Sequence, residues 1–197
     1  VLMVIGCGGG LPEIEDMALR RALWSELNKP RGSEFTKAEL QDITGLHIDG
    51  PIRGEFVTGL KGIEYLTELK ELSIYDNEGQ PLDVSALSKL KNLKVLSLQE
   101  VGVTNLEPLA ELKTLTELTI VGTDVSNLEP LSELSNLTYL HLFRNNIFDV
   151  TPLAGLSNLE YLNLERNPIG DISPLANMTK LKYLNLAEIP ISDISVV

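Results

Sequence analysis

One cysteine, Cys7, occurs in 197 residues, together with two histidines. That scarcity excludes an intrachain disulfide and a Cys/His metal cluster, both of which need several such side chains at fixed spacing. Long hydrophobic runs are also missing: no stretch reaches the ~18 apolar residues that a membrane-spanning helix requires. Basic residues are outnumbered, 16 Lys and Arg against 28 Asp and Glu, for a net charge of −12. A surface of that sign repels nucleic acid and anionic lipid, so neither fits as a partner; the acidity reads as solubility of a surface-rich chain. Aromatic residues make up only 5% of the chain, which makes their distribution informative.

What the chain has in abundance is leucine at a fixed period. Leu93, Leu115, Leu137, Leu159 and Leu181 follow one another at 22-residue intervals, and internal repetition of this length dictates a stacked architecture. The best-formed unit runs from Leu159 to Met178. Its leucines at relative positions 1, 4 and 6 (Leu159, Leu162, Leu164) and asparagine at 9 (Asn167) form the leucine-rich-repeat pattern. The 4-and-6 spacing has period two, so Leu162 and Leu164 share one face of a short strand and Tyr161, Asn163 and Glu165 the other. Asn167 stands where the chain turns inward and its amide can satisfy backbone groups there. Ile169, Ile172, Leu175 and Met178 then recur about every three residues, as in a tight 3₁₀ segment opened by Pro174. Val101, Thr123 and Ile189 occupy the asparagine slot of three other units, where weaker turn bonding offset by apolar packing is expected.

Earlier strands are read at Leu69-Leu72-Ile74 and Ile43-Leu46-Ile48, with two residues inserted near Gly79-Gln80. The expected fold is an α/β repeat solenoid: a right-handed leucine-rich-repeat horseshoe with a parallel concave β-sheet, 3₁₀-like return segments and an N-terminal helical cap. The repeats cover residues 43–197, irregular over 43–92 and regular over 93–197. The cap is placed at 11–42. Asp16 there caps a helix striped by Met17, Leu19, Leu23, Trp24 and Leu27, and Thr36-Lys37-Ala38-Glu39 is a capping box opening a second short helix. Trp24 is assigned to the cap core.

Residues 1–10 read differently. The short apolar run Val1 to Ile5 ending in small residues looks like the tail of a secretory signal peptide. Val4-Ile5-Gly6-Cys7 resembles a bacterial lipobox, in which the cysteine becomes the lipidated first residue, and Gly8-Gly9-Gly10 then serves as a flexible tether.

With the units in register, the third, fifth, seventh and eighth positions of each strand face the concave side or its edge. The last three rungs gather Tyr139, Tyr161 and Tyr183 in the third column and His141, Asn163 and Asn185 in the fifth. Phe143 stands in the seventh column, Arg144 and Arg166 in the eighth. These nine residues are the candidate partner-binding site, because tyrosine and arginine dominate interfaces; the competing reading is an aromatic ladder that only stabilises the sheet. Phe143, Arg144 and Arg166 tilt the balance, since they add nothing evident to strand pairing. His141 has no Ser or Cys nucleophile placed near it by register, so no catalytic residue is assigned. Asp83, Asp149, Asp171 and Asp193 offer one carboxylate per rung, too few oxygens at one point for calcium, so they read as backbone caps. No cofactor is expected.

The 22-residue unit with Asn167-Pro-Ile-Gly-Asp-Ile-Ser-Pro-Leu175 at its centre resembles the repeats of internalins and related bacterial surface proteins. The segment from Pro12 to Leu23 is similar to the helical cap preceding them. The resemblance implies an exported, non-enzymatic module that binds a protein or carbohydrate partner through its concave sheet, here lipid-anchored to the bacterial envelope through Cys7. A second reading, a structural spacer or assembly element pairing through its C-terminal rung, comes from the last unit stopping partway at Ser195-Val196-Val197.

Overall fold

Asp16 ends an extended segment and accepts the backbone N–H of Leu19, so the chain enters α1 (Met17–Glu26) with its first turn capped. The structure, a computed structural model, describes residues 11–50, 56–75 and 77–191. Cys7 and Gly8-Gly9-Gly10, read from the sequence as a lipobox cysteine and its tether, lie outside the described residues, as do Asp193 and Ser195-Val196-Val197. Helix α1 buries Ala18, Leu19, Leu23 and Trp24. Met17, expected in that stripe, is instead 41% exposed, because Ala18 occupies the inward position beside Leu19. In α2 (Lys37–Gln41) both halves of the Thr36/Glu39 capping box are formed. The Lys29 ammonium and the Thr36 backbone and hydroxyl all bond the Glu39 carboxyl, holding it down at about 2.

Trp24 is buried as expected, 6.1 Å from the ring of Phe35, and its indole N–H donates to the Ser33 carbonyl at 2.8 Å. The cap is fastened to the first rung by polar contacts. Asp16 Oδ2 accepts from Thr58 N at 2.9 Å and Thr58 Oγ1 at 3.2 Å, and the Lys61 ammonium bridges Glu13 at 2.9 Å and Glu15 at 2.8 Å.

The repeats form one parallel seven-stranded sheet in sequence order: β1 (Gly45–Ile48), β2 (Glu71–Tyr75), β3 (Val95–Gln99), β4 (Glu117–Val121), β5 (Tyr139–His141), β6 (Tyr161–Asn163) and β7 (Tyr183–Asn185). The register follows the leucine spacing. Leu46, Leu72, Leu96, Leu118, Leu140, Leu162 and Leu184 pair from strand to strand in one column. The return segments are 3₁₀ turns, with Pro108, Pro130, Pro152 and Pro174 in their first turns, where a missing N–H costs nothing. Asp83, Asp149 and Asp171 cap three of them through Ser85, Thr151 and Ser173 backbone N–H groups at 2.8–2.9 Å. Asn105 and Asn127 do the same for two more.

The core between sheet and returns is almost wholly aliphatic and continuous, from Ile14 in the cap to Met178. Buried asparagines fasten the turns. Asn167 donates to the carbonyls of Leu142, Leu164 and Glu165 and accepts from Ile147 N; Asn77 bridges Val57 on both sides. Where the slot is not asparagine, two outcomes appear. Val101 is fully buried, an apolar substitute as expected. Thr123 keeps the polar connection instead: its N–H and hydroxyl both bond Asn145 of the next rung, at 3.1 and 2.8 Å.

One further column is not marked by the leucine pattern. Asn92, Asn136 and Asn158 each donate to a carbonyl of the preceding rung at 2.8 Å, and Thr114 fills the same role. The two-residue insertion pairs with the rung after it: Gly79 N donates to Glu100 O, and Gly102 N to Gln80 O, both at 3.0 Å. Gly102 permits that approach, since a Cβ there would lie 2.5 Å from Gly79 O and 2.7 Å from Gln80 O.

Candidate functional site

The strand alternation sends the third-column side chains to the concave face, and the parallel register sets them one above another. Tyr139 and Tyr161 stack with ring centroids 4.2 Å apart and planes 12° from parallel; Tyr161 and Tyr183 follow at 4.4 Å and 2°. Stacking this close covers the inner ring faces, so the ladder presents ring edges and a row of phenol hydroxyls. Burial, then the neighbouring Tyr161 hydroxyl, push the Tyr139 phenol up to about 12. The Tyr139 phenol is therefore neutral at physiological pH.

His141 lies behind the ladder, edge-on to Tyr139 at 6.4 Å and Tyr161 at 6.3 Å, with the Phe143 ring at 6.3 Å. Burial pulls its pKa below the usual value, partly opposed by the Glu165 carboxylate. Asn163, taken from the sequence as a concave-facing contact, is 6% exposed. Its amide is spent inside the molecule, on His141 Nε2 at 3.2 Å and on the Glu165 N–H at 2.9 Å. Asn185 is half-buried and bonds the Glu165 carboxylate at 2.8 Å.

Strands β5 to β7 end at the fifth position, so Phe143 stands two residues past β5 rather than within a strand. The backbone still joins the rungs there, with Arg144 N donating to Glu165 O at 3.0 Å and Arg166 N to Ala187 O at 3.1 Å. The eighth position turns left-handed in five successive rungs: Glu100, Gly122, Arg144, Arg166 and Glu188 have φ between 53° and 61°. That turn swings the eighth side chains into a line along the sheet edge.

Both arginines of that line are paired. Arg166 makes a two-pronged bond to Glu188, both contacts at 2.9 Å, and lies over the Phe143 ring at 5.4 Å. Arg144 reaches across two rungs to the Glu100 carboxylate. Gly122 makes this possible, because a Cβ there would lie 2.7 Å from Glu100 Oε1 and 2.9 Å from Arg144 Nη2. From the sequence the arginines have no evident part in strand pairing; the structure shows that they nevertheless tie rungs together, binding acids of other rungs. Glu100, Gly122 and Glu188 were not singled out as partners of the arginines. The 22-residue period was the signal that could have found the Arg166–Glu188 pair, whereas the two-rung reach needed the glycine gap.

Among the described residues no group of three or more His, Cys, Asp and Glu side chains is placed to hold a metal, and no helix is long and apolar enough to cross a membrane. A shallow cavity of about 520 Å³ lies elsewhere, at the return segments of the first rungs, between Leu60, Lys61, Glu64 and Lys89. The concave face thus offers an aromatic ladder, a half-buried imidazole and an edge of paired charges.

Known proteins share this architecture. The family profile for "Leucine Rich repeats (2 copies)" matches residues 157–197. No curated protein sequence matches the chain. An internalin (inlF) of Listeria monocytogenes superposes with a TM-score of 0.71 at 34% identity, over 92% of this chain and 58% of that one, so this chain spans under two thirds of that protein's solved length. Internalin C2 (inlC2) of the same organism gives 0.68 at 33% identity, over 92% of this chain and 88% of that one. A leucine-rich-repeat protein of Leptospira interrogans shares the fold alone, with a TM-score of 0.64 at 20% identity over 80% of this chain and 46% of that one. With a third of its residues identical to internalin C2 across most of both chains, this chain belongs to the internalin family of leucine-rich-repeat proteins.

Proposed function

We propose that this chain is a non-enzymatic recognition module of the bacterial envelope that grips a protein partner on its concave face, across Tyr139, Tyr161 and Tyr183. The observation that carries this reading is the stacked tyrosine ladder. A sugar would dock by laying its C–H face on an open aromatic face, and stacking has covered most of these faces. Ring edges and hydroxyls in a row match the mixed polar and apolar surface of a protein instead. Phe143 with Arg166 above it extends the apolar surface beside the ladder.

The test is a pull-down from envelope and host extracts, with a variant of the tyrosine column as control. For the captured partner, Tyr161→Ala and Arg166→Ala are each expected to weaken binding at least about five-fold, measured by titration calorimetry. Unchanged affinity in a folded variant overturns the site, and capture of a glycan in place of a protein overturns the partner class.

The lipobox-like Val4-Ile5-Gly6-Cys7 supports a further part of the reading, attachment to the envelope by a lipid on Cys7. Each buried CH₂ of an acyl chain contributes ~0.8 kcal/mol, and two or more chains hold firmly. Expressed in bacteria with its export signal, the protein is expected in the detergent phase of a phase partition, and Cys7→Ser is expected to move it to the aqueous phase. Aqueous partition of the unsubstituted protein excludes the anchor.

A further inference from the structure

The half-buried imidazole behind the ladder is the first member of a directional hydrogen-bond chain. His141 Nε2 lies 3.2 Å from Asn163 Nδ2. The orientation of that amide is set by its other end, because Asn163 Oδ1 accepts the Glu165 backbone N–H at 2.9 Å. Nδ2 is therefore the donor, Nε2 the acceptor, and the imidazole neutral with its proton on Nδ1. The Glu165 carboxylate accepts from Asn185 Nδ2 at 2.8 Å, and Asn185 Oδ1 accepts the Ala187 N–H at 3.0 Å. His141, Asn163, Glu165 and Asn185 thus link three rungs from the imidazole to the end of β7, the step from Asn163 passing through the Glu165 backbone N–H and the step to Asn185 through its carboxylate.

We propose that this chain is a proton-operated relay. Protonation of His141 sets two donors, Nε2–H and Asn163 Nδ2–H, against each other. Asn163 relieves the conflict by turning its amide, which offers Oδ1 to the imidazolium and releases the Glu165 N–H. The Glu165–Asn185 bond loosens with it, and the segment between the ladder and the charged edge rearranges.

The surroundings set the direction of the response. On the His141 strand and its turn stand the neutral phenol of Tyr139 and the Arg144 guanidinium, which is held by Glu100. From β4, Thr119 pairs with His141 in register and the Glu117 carboxylate lies against Tyr139. From β6 and its turn come the Tyr161 phenol, the Glu165 carboxylate and Arg166, which is held by Glu188. Burial outweighs Glu165, so the folded chain holds the imidazole neutral more firmly than an unfolded chain does. A group with a depressed folded pKa contributes stability that is fully present above its unfolded value, about 6.5, and is lost as pH falls through the folded one. The relay is closed at neutral pH and opens under mild acid, whether or not a partner occupies the ladder.

The test is an NMR titration of the full chain from about pH 7.5 to about pH 5, the range in which a histidine changes charge. The His141 ring, the Asn163 and Asn185 side-chain amides and the Glu165 backbone amide are expected to share one midpoint, below about 6.5. His47, exposed on β1, supplies a reference ring signal. Exchange of the Glu165 amide, corrected for its intrinsic pH dependence, is expected to rise at least about ten-fold across the transition. His141→Gln keeps a polar side chain at the position and abolishes the transition; Asn163→Asp places a carboxylate against Nε2–H and raises the midpoint by about one unit or more. Glu165 and Asn185 signals that stay flat through the His141 midpoint, or that move equally in His141→Gln, overturn the relay.

Discussion

Replacing Leu162 by alanine is expected to lower stability by about 3 to 5 kcal/mol. Leu162 is fully buried in β6 and pairs in register with Leu140 on one side and Leu184 on the other. The strands on either side are tied to β6 by backbone bonds, so the walls of the new cavity have little freedom to close in. Residual cavity volume then adds to the lost transfer free energy. The measurement is a urea titration, read as a shift in midpoint at constant slope. Leu184→Ala gives the contrast: its side chain is only half-buried, and its loss is expected to be under half as large. A loss of less than about 1 kcal/mol at Leu162 contradicts a leucine column that carries the core.

Asn145→Ala is the second large effect, expected at about 2 to 4 kcal/mol, and its origin is polar. The Asn145 amide donates to the carbonyls of Ile120, Leu142 and Phe143, and its oxygen accepts the N–H and hydroxyl of Thr123. Alanine leaves all of these groups without the side chain that joins them, in a site where Asn145 is only 6% exposed. Two companions separate bonding from packing. Thr123→Val removes one hydroxyl and is expected to cost about 1 kcal/mol. Asn145→Asp keeps the volume but turns an acceptor toward three carbonyls, and it is expected to be no better than alanine. Stability of Asn145→Asp close to the unsubstituted protein overturns the assignment. Urea midpoints of the four proteins decide it.

These two residues are legible in the sequence, because the period names them. The leucine spacing places Leu162, beside Tyr161, on the buried face, and the turn-asparagine slot read at Asn167 falls on Asn145 one 22-residue period earlier. Asp16 at the start of α1, the Thr36/Glu39 capping box and the aspartates before Ser85, Thr151 and Ser173 were legible for a related reason: each is a bond spanning two or three residues, governed by local geometry. Thr123 was harder. Its slot signalled weaker bonding, yet a hydroxyl beside a buried amide found that amide, and only the juxtaposition of two rungs shows it.

The candidate site divides along the same line. The sequence determined which residues are neighbours: a fixed period with parallel register sets Tyr139, Tyr161 and Tyr183 in one column and His141, Asn163 and Asn185 in the next. It did not determine what neighbours do to one another, because side-chain rotation is free in a list of columns and is limited only by packing. The tertiary structure turned the tyrosine rings face to face and drew the Asn163 amide inward onto His141. It also used the side-chain-free gap at Gly122 to let Arg144 reach a glutamate two rungs away. Periodicity specifies adjacency along the solenoid; dispersion, hydrogen bonding and charge pairing across it, which require three-dimensional closeness, decide which of those adjacent groups remain free for a partner.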